Sequence, residues 1–324
     1  MKVAVIGLGV IGTHHMNVLA KLGIEVCAVC DTDEDKLAKY PAVAHFTDYR
    51  QMIKEAKPDS VHVCTPHYLH APMVIEALRA DINVLCEKPL AINLEDLNQI
   101  LEAEEKSAGI LGVCQQNRYN KTNLYIKQLV DAQHDKEKFV GSASVVWNRD
   151  KEYYNSAPWR GKWATEGGGV LINQALHTLD IMQWLLGEPT QVTATTANFS
   201  LKDVIEVEDT AAAVFTKGGE FSFFATNASC DNMSVEVTLK KPGMEIKTMS
   251  DWVAVNGKTI SFEMINEYNV KACYGSGHEG LMRDFYECVA SGREFAINGR
   301  EAAKVVRMIL AAYASHGNKI DIKR

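Results

Sequence analysis

The feature that most constrains this sequence is a glycine-rich turn at residues 7–12, which directly follows an apolar run at residues 2–6. Residues 13–22 have a helical pattern that ends at Gly23, and the apolar run 24–30 ends at Asp31. The order is therefore strand, glycine turn, helix, strand and acidic residue. Asp31 comes 19 residues after Gly12. In dinucleotide-binding units this spacing is about 20 residues, so the segment predicts a bound dinucleotide.

Each part of the turn has a physical role in binding a dinucleotide. The first glycine permits the tight turn, the second lets the backbone approach a pyrophosphate, and the third lets the helix pack on the strand. The N-terminus of the helix then faces the anion. We predict that the cofactor contacts the turn residues, which are Gly7, Leu8, Gly9, Val10, Ile11 and Gly12.

Asp31 indicates which nicotinamide cofactor is expected. Its carboxylate should accept hydrogen bonds from the ribose hydroxyl groups of adenosine and repel a 2′-phosphate. Residues 32–35 contain no arginine that would bind such a phosphate. We therefore predict NAD rather than NADP, with Asp31 and Thr32 among the cofactor-binding residues. A role for Asp31 as a helix N-cap is compatible with this prediction.

Strands and helices continue to alternate as far as residue 118. Apolar runs at 60–64, 83–86 and 111–114 are separated by helical patterns at 71–79 and 94–108. This alternation predicts an α/β Rossmann domain, a doubly wound parallel sheet, over residues 1–118. Ligands of such sheets bind at the carboxyl ends of the strands. The polar residues at these ends are predicted to bind the cofactor (Thr65, Pro66, His67, His70, Glu87, Lys88 and Gln115) or the substrate (Asn117 and Tyr119).

In residues 119–324 strand patterns dominate. Gly218-Gly219 and Asn256-Gly257 are hairpin signals between runs of β-forming residues. They predict an α+β substrate-binding and oligomerisation domain with a large, mostly antiparallel open sheet. A predicted helix over residues 170–186 would place Asn173, His177 and Asp180 on one face. The aromatic loop before it contains Trp159 and Arg160, whose side chains suit a sugar pocket.

The composition excludes several functional classes. Hydrophobic residues make up 47% and charged residues 23%, as in ordinary globular proteins, and the net charge of -7 argues against a nucleic-acid binder. No apolar run approaches the ~20 residues of a membrane helix, and the start lacks the pattern of a signal peptide, so we expect a cytoplasmic protein. Cys27 and Cys30 have metal-like spacing but lie in a strand pattern that points them to opposite faces. We interpret these two cysteines as core residues with reduced thiols and predict no metal site.

The whole chain resembles the glucose-fructose oxidoreductase / inositol dehydrogenase / MocA (Gfo/Idh/MocA) family. Four motifs carry the resemblance: the glycine turn with His15 nearby, residues 65–70, Glu87-Lys88-Pro89, and the glycine run 167–169 that leads to residues 177–180. The resemblance implies a nicotinamide-dependent oxidoreductase acting on a CH–OH group of a sugar or cyclitol, nucleotide sugars included. By the same resemblance, Lys88 contacts substrate and cofactor, and His177 is the catalytic acid/base.

One residue departs from the common family pattern. Asn173 stands where many members have an aspartate four residues before the histidine. Because an amide does not take up a proton, Asn173 should bind substrate by hydrogen bonding. Two other functions stay open: an NAD-dependent glycoside hydrolase of the same fold, and a non-catalytic NAD- or sugar-binding sensor. A sensor would not need both Lys88 and His177.

The predicted sheet has apolar residues on both faces. Phe221 and Phe223 alternate with Phe224 in one strand, so the outer face also needs a cover. The resemblance implies that subunits pack sheet to sheet in a homodimer or homotetramer. The alternative is that helices at 278–290 and 300–316 cover this face within one chain. For Tyr268, Tyr274 and His278 we favour a packing role over a place in the pocket.

Overall fold

The structure, a computed structural model, describes residues 1–133, 137–249, 251–262 and 277–323. Tyr268 and Tyr274 therefore lie outside the described residues. The described helices are α1 Val10–Lys21, α2 Glu34–Leu37, α3 Tyr49–Ala56, α4 His70–Arg79, α5 Leu94–Lys106, α6 Lys121–Asp131, α7 Lys151–Asn155, α8 Leu176–Leu186, α9 Gly277–Ser291 and α10 Gly299–Ser315. None of them is both long enough and apolar enough to span a membrane.

The strands form two sheets. The first contains β1 Val3–Ile6, β2 Val26–Cys30, β3 Ala44–Phe46, β4 Ser60–Val63, β5 Asn83–Cys86 and β6 Leu111–Val113. The second contains β7 Val140–Val146, β8 Gln191–Ala197, β9 Thr210–Thr216, β10 Glu220–Thr226, β11 Glu236–Lys241, β12 Met244–Thr248, β13 Trp252–Val255, β14 Lys258–Ser261 and β15 Lys319–Asp321.

The first sheet is parallel throughout and has the order β3-β2-β1-β4-β5-β6. Every residue of β1 and β4 is buried, as expected for strands covered on both faces. Because the strand order reverses between β1 and β4, the carboxyl ends of these strands form the crevice where doubly wound sheets bind ligands. The predicted Rossmann fold is confirmed.

Residues late in the chain also belong to this first compact unit, which comprises Met1–Gln116 and the described residues 277–303. Phe285 of α9 packs so closely against Gly112 of β6 that a Cβ there would lie 2.8 Å from its ring. Lys21 at the end of α1 forms an ion pair with Glu279. A single boundary at residue 118 therefore does not describe these contacts.

The second unit contains the described residues from 117 to 262 and 304 to 323. Its nine-stranded sheet has the order β14-β13-β12-β11-β7-β10-β9-β8-β15, and only the β7–β10 pair is parallel. The predicted large, mostly antiparallel sheet is confirmed. Helix α8 packs on β7 and β10.

The two faces of this sheet differ in exposure. Phe215, Phe221 and Phe223 are buried, whereas Val214 is 50% and Phe224 42% exposed. Because β9 and β10 alternate in this way, the exposed pair lies on the face opposite the buried phenylalanines. In the single chain Val214 and Phe224 are therefore exposed on the outer face of the sheet.

Candidate active site

The glycine turn has the geometry that a dinucleotide requires. Gly7 has a φ of +90°, and a Cβ there would lie 2.7 Å from the carbonyl oxygen of Cys64. A Cβ at Gly12 would lie 1.8 Å from the carbonyl oxygen of Gly7, so α1 approaches the turn too closely for any side chain. A Cβ at Gly9 would meet nothing within 4 Å. The first and third glycines are therefore needed for the fold, while Gly9 leaves open space.

That open space lies at the N-terminus of α1. Gly9 is the N-cap, and no side chain forms a capping hydrogen bond there. The neighbouring Val10 is 79% exposed. A 12-residue helix with this end exposed presents backbone N–H groups and the positive end of its dipole. The segment fits a pyrophosphate by its shape and by its charge.

Asp31 is fixed beside this turn. Its Oδ2 accepts a hydrogen bond from the Leu8 backbone N–H at 2.7 Å, and its Oδ1 accepts one from the Asp33 N–H at 3.0 Å. The N-cap of α2 is Asp33, so Asp31 does not cap that helix. Lys36 places its Nζ 3.3 Å from Asp31 Oδ1. This lysine is a cation beside the predicted ribose-binding acid, and it lies one residue beyond the segment 32–35 that contains no arginine.

His70 joins two of the predicted cofactor segments. Its ring is fully buried, and its nitrogens lie 2.9 Å from the Thr65 carbonyl oxygen and 2.7 Å from that of Pro89. Burial lowers the pKa of His70, although the two carbonyl groups act in the opposite direction. The ring thus connects the segments that follow β4 and β5 through their backbone carbonyl groups. It would affect a cofactor by fixing the position of these two segments.

Glu87 is the centre of a buried polar cluster. Its Oε1 lies 2.9 Å from His15 Nε2 and 3.7 Å from His278 Nε2, and its Oε2 accepts a hydrogen bond from the Lys88 N–H at 3.2 Å. Burial would raise the pKa of Glu87, but the hydrogen bonds from His15 and His278 act against it, and this pKa lies well below its usual range. Glu87 is therefore a carboxylate beside the Lys88 backbone.

The other predicted cofactor residues occupy the same end of the sheet. Pro66 is the N-cap of the short 3-10 helix His67–Leu69, and His67 is buried. Gln115 follows β6 and is also buried, whereas Thr32 is exposed after β2. All follow the carboxyl ends of parallel strands, as the sequence pattern predicts. Their contacts with a cofactor stay a prediction.

In the second unit, the structure corrects the predicted helix 170–186. Helix α8 begins at Leu176, and Asn173 lies before it in a turn. In this turn the Ala175 N–H bonds to the Val170 carbonyl oxygen, five residues earlier, so the regular helical spacing is not kept. The buried carboxylate of Glu208 holds the turn by accepting hydrogen bonds from the N–H groups of Gly169 at 2.8 Å and Leu171 at 3.0 Å. Asn173 therefore does not share a helix face with His177 and Asp180.

Glu208 has a second type of donor. The hydroxyl group of Tyr313 donates to its Oε1 at 2.9 Å, and burial raises the pKa of Glu208 to about 7 although these hydrogen bonds act against it. A Cβ at Gly169 would lie 1.8 Å from the Glu208 carbonyl oxygen. The glycine run is thus folded around this one residue.

Asn173 is positioned by a second buried carboxylate. Its Nδ2 donates to Oε1 of Glu166, which is fully buried and whose Oε2 accepts the N–H of Gly161. Tyr153 Oη lies 3.4 Å from the same Nδ2 and 3.0 Å from Gln174 Nε2. An amide at position 173 therefore fits its neighbour, because a carboxylate there would face Glu166.

His177 is half-buried in the first turn of α8. One turn later, both oxygens of the Asp180 carboxylate bind Arg118, at 2.7 Å from Nε and 2.6 Å from an Nη. Both partners of this ion pair are buried. Asp180 therefore connects α8 to the segment before α6 within the second unit.

The remaining predicted substrate residues lie on two segments of the second unit. Arg160 places its guanidinium 4.6 Å from the Trp159 ring centre and 4.4 Å from that of Tyr153, and Arg149 lies 5.1 Å over Tyr153. Asn117 accepts the Asn123 side-chain N–H on its backbone oxygen at 2.7 Å, and Tyr119 ends the same 3-10 helix. The two arginines and the two aromatic rings form a cationic and aromatic cluster (Arg149, Tyr153, Trp159 and Arg160).

The predicted residues thus fall into two sets. The first unit contains the cofactor residues and Lys88, and the second contains Asn117, Tyr119, Trp159, Arg160, Asn173 and His177. Sequence reasoning missed Glu166, Glu208 and Tyr153, and it did not connect His278 with Glu87. For Glu166 a signal existed, since it directly precedes the glycine run.

Two family models match the chain. Residues 1–115 match the oxidoreductase family with an NAD-binding Rossmann fold, and residues 124–244 match the GFO/IDH/MocA C-terminal domain. The chain belongs to the Gfo/Idh/MocA family. The resemblance inferred from the four motifs is therefore confirmed. The chain is a member of an NAD-binding oxidoreductase family.

Named relatives agree with this assignment. Inositol 2-dehydrogenase of Salmonella typhimurium is 30% identical over 196 residues, which are 58% of this chain and 55% of that protein. The chain thus spans about half the length of the inositol dehydrogenases that it matches. An uncharacterized oxidoreductase of Bacillus subtilis, YrbE, is 25% identical over 96% of this chain and 93% of its own.

Solved structures match over the full length. The WlbA dehydrogenase of Bordetella pertussis, in complex with NADH and UDP-GlcNAcA, has a TM-score of 0.87 at 26% identity and covers 100% of this chain and 99% of its own. A levoglucosan dehydrogenase in complex with NADH and levoglucosan has a TM-score of 0.87 at 18% identity, with 100% and 99% coverage, and shows the fold.

Proposed function

We propose that this protein is an NAD-dependent dehydrogenase that moves a hydride between nicotinamide and a hydroxyl-bearing carbon of a sugar or cyclitol. The observation that carries the proposal is that both halves of the reaction machinery are retained. The chain has the Glu87–Lys88 motif beside an open glycine turn, and it has His177 at the start of α8. The family membership supports the same reaction class.

Bound NAD would supply the hydride acceptor, and the residues of the chain would manage the proton. His177 would accept the proton of the substrate hydroxyl group, for which imidazole is suited because its ordinary pKa of ~6.5 lies near neutral pH. Lys88 would donate a hydrogen bond to the same oxygen and stabilise its developing negative charge. Lys88 and His177 are thus the proposed catalytic pair.

Within this class, a nucleotide sugar is the substrate that we favour. Full-length similarity at 26% identity links the chain to a dehydrogenase solved with UDP-GlcNAcA. The cationic and aromatic cluster offers two guanidinium groups to anionic parts of a ligand and ring faces to a sugar. Asn173, Asn117 and Tyr119 would form hydrogen bonds with hydroxyl groups.

Asp31 supports NAD over NADP. Its carboxylate is fixed at the turn by Leu8 and would repel a 2′-phosphate, although Lys36 partly offsets that charge.

We also propose that subunits associate through the sheet face that exposes Val214 and Phe224. Light scattering of the purified protein should give a dimer or tetramer, and Phe224→Lys should shift it toward monomer. A monomeric parent protein would refute the association.

His177→Asn tests the proposed chemistry. Asparagine keeps a polar side chain but takes no proton, so turnover should fall by at least ~100-fold, within the range attributed to general acid–base catalysis. NADH affinity, measured by fluorescence titration, should stay within twofold. Full turnover in the variant would refute the role of His177, and loss of NADH binding would assign it to the cofactor site instead.

A further inference from the structure

Behind the Glu87–Lys88 motif, three hydrogen bonds form a continuous row within the first unit. His15 Nε2 lies 2.9 Å from Glu87 Oε1, and His15 Nδ1 lies 2.8 Å from Nδ1 of His62. His62 Nε2 lies 2.6 Å from the hydroxyl oxygen of Tyr286. The row therefore connects α1, β4 and α9 to the end of β5.

All four groups are buried: His15 and His62 fully, and Glu87 and Tyr286 with 5% and 7% exposure. The neighbours of His62 in β4, Val61 and Val63, are apolar and fully buried. A polar row in such a place is stable only when each of its members has a partner. His62 is a fully buried titratable residue in β4 that the proposed chemistry does not use.

The geometry restricts where the protons lie. A carboxylate only accepts, so His15 Nε2 must donate to Glu87. The contact between two Nδ1 atoms needs one donor and one acceptor. If His15 is neutral, its Nδ1 accepts and His62 Nδ1 donates, which leaves His62 Nε2 to accept from Tyr286. Protonating His15 would have to reverse the two other hydrogen bonds at once.

Burial supports the neutral arrangement. It lowers the pKa of His62 well below its ordinary value and raises that of Tyr286, so both groups are neutral. The other titratable groups around the row are His14 and His278, the thiols of Cys64, Cys86 and Cys114, and Lys88.

We propose that His62 and Tyr286 are positioning residues for the Glu87–Lys88 motif, through a directed row in which Tyr286 donates to His62, His62 to His15, and His15 to Glu87. The row fixes the Glu87 carboxylate beside the Lys88 backbone N–H, and it directs the Nε2–H of His15 to Glu87. Its effect on turnover rests on the proposed function, whereas the row itself is a property of the folded chain.

The row is tested by NMR of the full chain labelled with ¹⁵N-histidine, without substrate. At pH 8 we expect His15 to carry a proton on Nε2 and to accept at Nδ1, and His62 to carry its proton on Nδ1. Tyr286→Phe should shift the ring ¹⁵N signals of His62. A doubly protonated His15, a His62 protonated on Nε2, or unchanged His62 signals in Tyr286→Phe would overturn the proposal. This test does not depend on any activity.

The effect on the site is tested with two substitutions of His62. His62→Asn keeps a side-chain N–H near the position of Nδ1, whereas His62→Gln places its amide near Nε2 and loses the donor to His15. We expect His62→Gln to lower kcat about tenfold and to shift its pH profile, with an unchanged KM for the sugar. His62→Asn should recover most of this loss.

His45→Gln, at an exposed site on β3, is the matched control and should behave like the parent protein. Equal kcat values and pH profiles for His62→Gln and His62→Asn would refute the positioning role. If the parent protein turns over no sugar, the proposed function fails. NADH affinity and the NMR signals then still decide whether the row exists and acts on the cofactor site.

Discussion

Replacing Asn173 with aspartate tests why this chain departs from the family pattern. The Nδ2 group of Asn173 donates to the buried carboxylate of Glu166. Asn173→Asp would place two carboxylates about one hydrogen-bond length apart. At ~3 Å and an effective dielectric constant of ~20, their repulsion is about 5 kcal/mol. The pair can relieve it by taking up one proton, which costs about 1.4 kcal/mol for each pH unit above an ordinary pKa of ~4.

Repulsion between the two carboxylates and the cost of protonating one of them together give a loss of stability that depends on pH. Because position 173 is only half-buried, solvent screening reduces the loss to about 3 kcal/mol at pH 8 and about 1 kcal/mol at pH 5. The sign follows from a carboxyl pKa that is higher in the folded variant than in its unfolded chain, so relative stability is lost as pH rises. Denaturant unfolding of variant and parent at both pH values measures this difference.

The double variant Asn173→Asp/Glu166→Gln is the control. It restores an amide facing a carboxylate, with the two groups exchanged, and should recover at least half of the lost stability at pH 8. A loss in Asn173→Asp that does not change between pH 5 and pH 8, or that persists in full in the double variant, would refute the explanation.

Three further predictions concern the glycine turn, the glycine run and the choice of cofactor. Gly9→Ala should keep the thermal stability but weaken NADH binding at least tenfold, whereas Gly12→Ala should destabilise the fold, as unfolding and fluorescence titration would show. Glu208→Gln should lose more stability at pH 5 than at pH 8, by about 2–3 kcal/mol, because the buried carboxyl group loses its stabilising contribution as pH rises through about 7. Equal losses at both pH values would contradict this. Asp31→Asn keeps an acceptor for the Leu8 N–H and should lower the Kd for NADPH relative to NADH about tenfold; an unchanged ratio would remove Asp31 from cofactor selection.

The sequence predicts the first sheet well because its information is local. Apolar runs that end in glycine, proline or an acid define β1, β2, β4 and β5, and the glycine turn determines how α1 packs. The return of α9 to this unit was not predictable in the same way. It depends on contacts such as Phe285 against Gly112, which are far apart in the chain.

The start of α8 shows why part of the site was predicted wrongly. Residues 170–175 have an apolar helical pattern, but the Ala175 N–H bonds to the Val170 carbonyl oxygen, five residues earlier, and α8 begins only at Leu176. The buried Glu208 carboxylate holds this turn through the N–H groups of Gly169 and Leu171. That carboxylate lies almost 40 residues later in the sequence. A contact between distant parts of the chain thus holds a turn that the local pattern does not reveal, and Asn173 lies in that turn, where Glu166 is its partner.

The proposed function is a hydride exchange between nicotinamide and a hydroxyl-bearing carbon of a sugar. The most direct measurement is to incubate it with NAD and a panel of nucleotide sugars, free sugars and cyclitols, and to quantify NADH and the oxidised product together. We predict equal amounts of NADH and keto product with at least one nucleotide sugar, and loss of both in His177→Asn. Release of a free sugar without net NADH, or NAD binding without product across the panel, would contradict the claim.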